Sequence, residues 1–309
     1  MRLAILCSGQ AGQSREMLDG AFADPACAPL LATASTVLGE DIERWWRGLD
    51  EAALFANEHA QFAIVLAQLA RWRQLAPLLP TPALVAGYSL GELTAWCIAG
   101  ALDEATTLQL ARTRARLMSA AAPAGEGGCM VLWRGRVAPA VARAKEAAQQ
   151  RLGLSLAIAR RRGEEVLAGS PAAVAAFVAD PAIVNPELVR LPVSIPSHSP
   201  LLAEAAEAFG ELLRLSPLRE PAIAVLAGID GQAVRHRAGA IDTLARQIAA
   251  PVRWDRCMET LAESGIDRAL ELGPGHDLAR LLETEYPGIA ARALEEFGSP
   301  AGAATWVAA

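Results

Sequence analysis

Apolar positions along the chain fall into two rhythms. Short unbroken runs of strand length alternate with longer stretches in which apolar residues recur every three to four positions. The first run, Arg-Leu-Ala-Ile-Leu-Cys (2–7), has no polar side chain after Arg2. That is the pattern of a strand covered on both faces in a parallel sheet. It breaks at the polar, glycine-bearing SGQAGQ (8–13). Residues 59–76 carry apolar positions at helical spacing, and Pro77 marks the helix end. A second buried strand is predicted at 82–87, followed by helices at 91–100 and 104–121. PAIAVLAG (221–228) and RALELG (268–273) read as further buried strands. Strand–turn–helix order repeated in this way predicts an α/β sheet with helices on both faces.

The pattern changes at AAPAGEGG (121–128). CMVLWRG then reads as a strand, VAPAVARAKEAAQQRL as a helix, and LSLAIARR and EEVLAGS as two more strands. A helix from Pro171 and a strand near Val189–Ser194 complete a β-α-β-β-α-β order, the ferredoxin-like split βαβ pattern. The predicted organisation is a large α/β unit formed by 1–123 and 192–309, with residues 124–191 inserted into it as a small α+β subdomain.

Composition narrows the function classes. The 309 residues, 53% of them hydrophobic, suffice for one large unit or two unequal ones. No apolar run reaches the ~18 residues of a membrane span. The apolar segment Leu3–Cys7 is shorter than the ~7–15 residues of a signal-peptide core, so it is read as a buried first strand. A formal net charge of -6 argues against general nucleic-acid binding. Cys7, Cys27, Cys97, Cys129 and Cys257 are scattered, without C-x-x-C spacing, as in a protein of the reducing cytoplasm. The histidines are far apart and no cysteine cluster exists, so no metal site is expected. A G-x-x-x-x-G-K phosphate loop is also absent.

Chemistry concentrates in VAGYSLGELTA (85–95), where Ser89 sits between Gly87 and Gly91 after a predicted strand and before a predicted helix. G-x-S-x-G in that setting is a nucleophile elbow. The serine takes a strained conformation, its crowded neighbours become glycine, and its hydroxyl is presented at a helix N-terminus that favours developing negative charge. The plainer reading is a serine that caps the helix. A serine nucleophile needs a base. His236, in VRHRAG, reads as surface, and His59, at a helix start, as structural or pocket-lining. His276, after ELGPG, would give a hydrolase-like order with Asp255 or Asp267 between serine and histidine. His198, in VSIPSHSPLL, would give a Ser–His dyad with no evident acid.

With these residues in place, the chain resembles the malonyl-CoA:acyl carrier protein transacylase family over nearly its whole length. GQAGQ (9–13) is similar to the family's Gly-Gln-Gly-x-Gln, and GYSLGE (87–92) to its Gly-His-Ser-x-Gly-Glu. ARTRARLM (111–118) matches the segment with the family's arginine, and PVSIPSHSPLL (192–202) its Pro-Ser-His segment. QIAAPVRW (247–254) and ELGPG (271–275) follow in order. The resemblance favours His198 as base. It implies a hydrolase-like α/β core with a ferredoxin-like subdomain, and a stand-alone, monomeric cytoplasmic enzyme with no bound cofactor. Its substrate would be malonyl-CoA and its partner an acyl carrier protein.

Residue by residue, the resemblance implies Ser89 as nucleophile and the backbone N–H groups of Gln10 and Leu90 as oxyanion hole. It implies Arg114 as the grip on the malonyl carboxylate and the Gln247 carbonyl as the group that orients His198. Gln61 matches a pocket glutamine, and Tyr88 stands where the family has histidine. Arg112 and Arg116 are read as a solvated face. IARRRG (158–163) departs from the family's Asn- and Pro-containing turn, so Arg160–Arg162 are read as a solvated run or as a docking patch for an acidic carrier. Two neighbouring roles share the same chemistry: loading the carrier subunit of a malonate decarboxylase (the epsilon-subunit role) and trans-acylation in a polyketide pathway. An acyl-thioester hydrolase using the same Ser–His pair is the third alternative.

Overall fold

The computed structural model describes residues 1–122, 128–184 and 187–309. The strands, in chain order, are β1 (Leu3–Cys7), β2 (Leu84–Gly87), β3 (Cys129–Arg134), β4 (Ser155–Arg161), β5 (Glu164–Gly169), β6 (Leu188–Arg190), β7 (Ala224–Leu226), β8 (Ala233–Val234), β9 (Val252–Arg253), β10 (Arg268–Glu271) and β11 (Ala290–Ala293). They form two sheets, ordered β11-β10-β1-β2-β7-β8 and β6-β3-β5-β4-β9.

The first sheet is parallel except for its edge strand β8, which runs antiparallel to β7. Its central strands are apolar on both sides because each side meets a different layer. Leu3, Ile5 and Cys7 of β1 pack with the helices Asn57–Leu75 and Gly91–Ile98 on one face. Ala4 and Leu6 point the other way, into a cluster with Trp254, Leu278 and Leu282. The same cluster takes in Met130, Leu132, Ile158 and Val166, so the inner face of the second sheet closes over the first.

Strands β3–β6 have the antiparallel order of a ferredoxin-like unit. The helices Pro139–Leu152 and Pro171–Val178 cover its outer face through Trp133, Val174 and Phe177. The two-residue β9 pairs in parallel with β4 and stitches the C-terminal part of the chain to this sheet. The predicted helix at 104–121 is found at Glu104–Ala121, with the Asp103 side chain accepting from the Thr106 amide at its start. The strand expected near Val189–Ser194 ends at Arg190. Pro192 has no amide to extend the ladder, and Val193 N–H instead turns back to the Leu191 carbonyl. The break expected at 121–128 lies largely outside the described residues. Among the described residues no helix is long and apolar enough to cross a membrane.

Candidate active site

The elbow is built by close packing. Ser89 follows β2 with φ 56°, in the left-handed region that most side chains avoid. A Cβ on Gly87 would lie 2.2 Å from the Glu92 backbone, and one on Gly91 would lie 2.1 Å from the Cys7 carbonyl oxygen. Both positions therefore exclude every residue but glycine. The helix Gly91–Ile98 begins immediately after, with Leu90 buried at its N-cap.

Ser89 Oγ lies 2.7 Å from His198 Nε2, and His198 Nδ1 lies 2.6 Å from the Gln247 carbonyl oxygen. A carbonyl can only accept, so Nδ1 carries the proton and Nε2 is left bare to accept from the serine. His198 also sits at φ 61°, with its amide donating to the Ile248 carbonyl at 2.9 Å. Burial pushes its pKa down to about 4, opposed by the Gln247 carbonyl and assisted by the nearby Arg114 cation. At neutral pH the ring is a free base.

The other histidines are elsewhere. His276 and His236 are exposed, and His59 rests edge-on against Trp45 near the Ala53 carbonyl. Asp255 pairs with Arg253 at 2.7 Å, and Asp267 lies against the chain N-terminus. The Asp–His276 arrangement left open by the sequence is not formed.

Gln10 lies just past β1 and lines the cleft with Ser89 and His198. Its loop is braced from below. Gln68 Nε2 donates to the Ser8 and Gly273 carbonyls at 2.8 Å each, and Ser8 Oγ donates to the Pro274 carbonyl at 3.1 Å. The ELGPG segment thus supports the GQAGQ turn.

Arg114 is 3% exposed and donates through Nη1 to Gln61 Oε1 at 2.6 Å. Gln61 in turn donates to Asn57 Oδ1 at 2.7 Å, and Asn57 donates to the Ala115 carbonyl at 2.9 Å. Arg114 Nη2 is buried and has no hydrogen-bond partner among the described residues. Burial pulls the guanidinium pKa down to about 10, against the attraction of Glu92, so it stays cationic at pH 7. Arg112 and Arg116 turn away, as their offset of two positions requires on a helix. Arg112 donates to the Val37 carbonyl, and the half-exposed Arg116 lies 3.6 Å from Glu58.

Arg160 corrects the sequence reading. It is 4% exposed, donates to Glu164 at 2.5 Å and to Asp277, and lines the same cleft as Ser89 and His198. The turn at Gly163, φ 80°, brings Glu164 back against Arg160 and Arg161. Of the three arginines only Arg162 is exposed. Tyr88, partly buried, packs edge-on to Trp254 at 5.4 Å. Burial pushes its phenol up to about 12, with the Arg160 guanidinium beside it opposing the shift.

The cleft encloses about 130 Å³ between the two sheets, with Met130, Leu132, Ile158 and Val166 as its apolar wall. Sequence reasoning missed Asn57, Gln68 and Glu92. The signal for the first two was available: Gln68 interrupts the apolar run 62–70, Asn57 and Gln61 precede it at helical spacing, and all three are buried. A primed serine, a neutral imidazole and a buried cation with an open N–H can together carry acyl transfer from a substrate that bears a carboxylate.

A model of the acyl transferase domain family matches residues 7–288. The malonyl CoA-acyl carrier protein transacylase of Salmonella typhimurium is 31% identical over 300 residues, 96% of each chain. That of Escherichia coli K12 is 31% identical over 307 residues, 98% of each chain. Among solved structures, a type II PKS acyl-carrier protein in complex with its malonyl-transacylase matches with TM-score 0.90 and 30% identity, covering 98% of this chain and 99% of that one.

Proposed function

This chain belongs to the malonyl-CoA:acyl carrier protein transacylase family, and we propose that it moves malonyl groups from malonyl-CoA to the phosphopantetheine-type thiol of an acyl carrier protein through an acyl-serine. The observation that carries this reading is the Ser89–His198–Gln247 line, close enough to the buried Arg114 for its charge to act on His198.

Ser89 Oγ gives its proton to His198 Nε2 and attacks the thioester carbonyl. The amides of Gln10 and Leu90 receive the oxyanion; one such donor is typically worth about 10²–10³ in rate. As the C–S bond breaks, the imidazolium returns its proton to the CoA sulfur, leaving malonyl-Ser89 and neutral His198. The carrier thiol then loses its proton to His198, attacks the ester, and Ser89 leaves with that proton restored. No cofactor enters this scheme. The Gln247 carbonyl stabilises the imidazolium in the place a triad carboxylate would occupy. Arg114, held by Gln61, turns its free nitrogen to the malonyl carboxylate, and Tyr88 shapes the cleft wall.

Residues 124–191 act as a small subdomain whose sheet roofs the cleft. This division is supported by the antiparallel sheet of β3–β6, to which the large unit adds only the two-residue β9. Free cysteines, four of the five buried, support a cytoplasmic enzyme.

The test is the intact mass of purified protein after incubation with malonyl-, methylmalonyl- and acetyl-CoA, with Ser89→Ala as control. A malonyl adduct on wild type alone is expected. Steady CoA release without any adduct or thiol acceptor would replace the transferase with a hydrolase.

A further inference from the structure

The elbow helix carries a fully buried carboxylate that the scheme above does not use. Glu92 has no exposed surface. Its Oε2 accepts from the Gly228 amide at 2.9 Å and from Gln247 Nε2, and its Oε1 faces Trp96 Nε1 at 3.5 Å. Gln247 is thus held at both ends: its side chain by Glu92, its backbone carbonyl on His198 Nδ1. Gly228 is part of the construction, since a Cβ there would lie 2.9 Å from both Gln247 Nε2 and Glu92 Oε2. Gln247 is the last residue of the helix Arg237–Gln247, where the chain turns toward β9 and has no strand ladder to fix its carbonyl.

We infer that Glu92 is a positioning residue for the base: through the Gln247 side chain it fixes the backbone carbonyl that sets the tautomer and direction of His198. One acceptor oxygen serves the nucleophile's helix and the histidine's support together, so Ser89 and His198 are kept in register across 109 residues of sequence. The role needs an acceptor oxygen at this point, not a charge. A glutamine can supply it and an apolar side chain cannot. The inference rests on the Ser89–His198 reading.

The experiment measures the rate of malonyl-Ser89 formation per active site by rapid quench, with the KM for malonyl-CoA and circular dichroism, in Glu92→Leu, Glu92→Gln, Gln247→Ala and Gly228→Ala. A displacement of the base by about 1 Å costs up to ~10² in rate. Glu92→Leu and Gln247→Ala are each expected to slow acylation at least about tenfold, with KM within about threefold of wild type. Glu92→Gln is expected to rescue to within about threefold. Gly228→Ala, which keeps both side chains but wedges them apart, is expected to be slow as well. The double variant Glu92→Leu/Gln247→Ala should be no slower than its slower parent, because the two act as one unit. If Glu92→Leu does not fold, Gln247→Ala and Gly228→Ala carry the test. Wild-type acylation rates in Gln247→Ala, or multiplicative losses in the double variant, overturn the inference while leaving the transferase intact. An adduct that persists in Ser89→Ala overturns the transferase reading itself.

Discussion

His198 Nδ1 meets the backbone carbonyl of Gln247 at 2.6 Å where many serine enzymes would place a carboxylate. A carbonyl dipole orients the ring but supplies no full charge to raise its basicity, and burial has lowered its pKa to about 4. The acylation rate is therefore expected to stay level from pH 8 down to about 5 and to fall below that, as His198 takes up a proton and can no longer accept from Ser89. A fall centred near the ordinary histidine value would show that the ring is solvated in the working enzyme. His198→Ala is expected to lose about 10²–10⁴ in acylation, and His276→Ala nothing, since His276 is exposed.

In the proposed scheme Arg114 and Gln61, 2.6 Å apart, form the acyl-selective end of the site. The guanidinium has one arm committed to Gln61 and one buried arm free. On that scheme a carboxylate-bearing donor gains that arm and an acetyl donor does not. Arg114→Ala is expected to cut kcat/KM for malonyl-CoA by about 10–100-fold more than for acetyl-CoA, from the typical worth of a hydrogen bond to a charged group. Arg114→Lys should not rescue, because a point charge cannot both keep Gln61 and present a flat second nitrogen. Equal losses for the two donors would move carboxylate recognition elsewhere.

The elbow was legible because its requirement is local. Gly87 and Gly91 are demanded by contacts with Glu92 and Cys7, and the strand–turn–helix setting reads directly from the apolar pattern. The ferredoxin-like order was legible for the same reason, since each of its strands is a short apolar run between turn residues. What stayed hidden depends on partners distant in sequence. Arg160 within Arg-Arg-Arg reads as solvated, because nothing nearby announces that Asp277 will close on it from 117 residues away. Glu92 reads as an ordinary acidic residue in a first helical turn, and its donors arrive from 136 and 155 residues downstream. The helices Ile42–Gly48 and Glu51–Phe55, started by the Asp41 and Asp50 side chains, are too short for their apolar positions to repeat as a period.

Glu92 also makes a prediction about stability. Burial raises its pKa to about 7, opposed by its hydrogen bonds with Gly228, Trp96 and Gln247 and by Arg114, from 4.5. A carboxyl raised in the folded state binds more protons there than in the unfolded chain between those two values. Its contribution is most favourable below about pH 4.5 and is lost as pH rises through about 7. Glu92→Gln removes that dependence. At pH 8 the variant is expected to be more stable than wild type by up to about 3 kcal/mol, while the two converge toward pH 5. Urea melts at both pH values check this. A variant less stable than wild type at pH 8 would mean that the carboxylate is better solvated than its burial indicates.

Arg160 separates a structural role from a docking role. Its guanidinium joins β4 to Asp277, at the start of the helix Asp277–Glu285, and to Glu164, which is 2% exposed. Removing one member of a buried ion pair leaves a desolvated charge behind and costs about 3–5 kcal/mol. Arg161 also bonds Glu164, at 2.7 Å, and softens that loss. Arg160→Met is therefore expected to lower stability by about 2–4 kcal/mol. Arg162→Ala, on the exposed tip of the same hairpin, should leave stability unchanged. If Arg160→Met instead kept wild-type stability and raised only the KM for the carrier protein, the buried network would be a docking element, as the charge run alone had suggested.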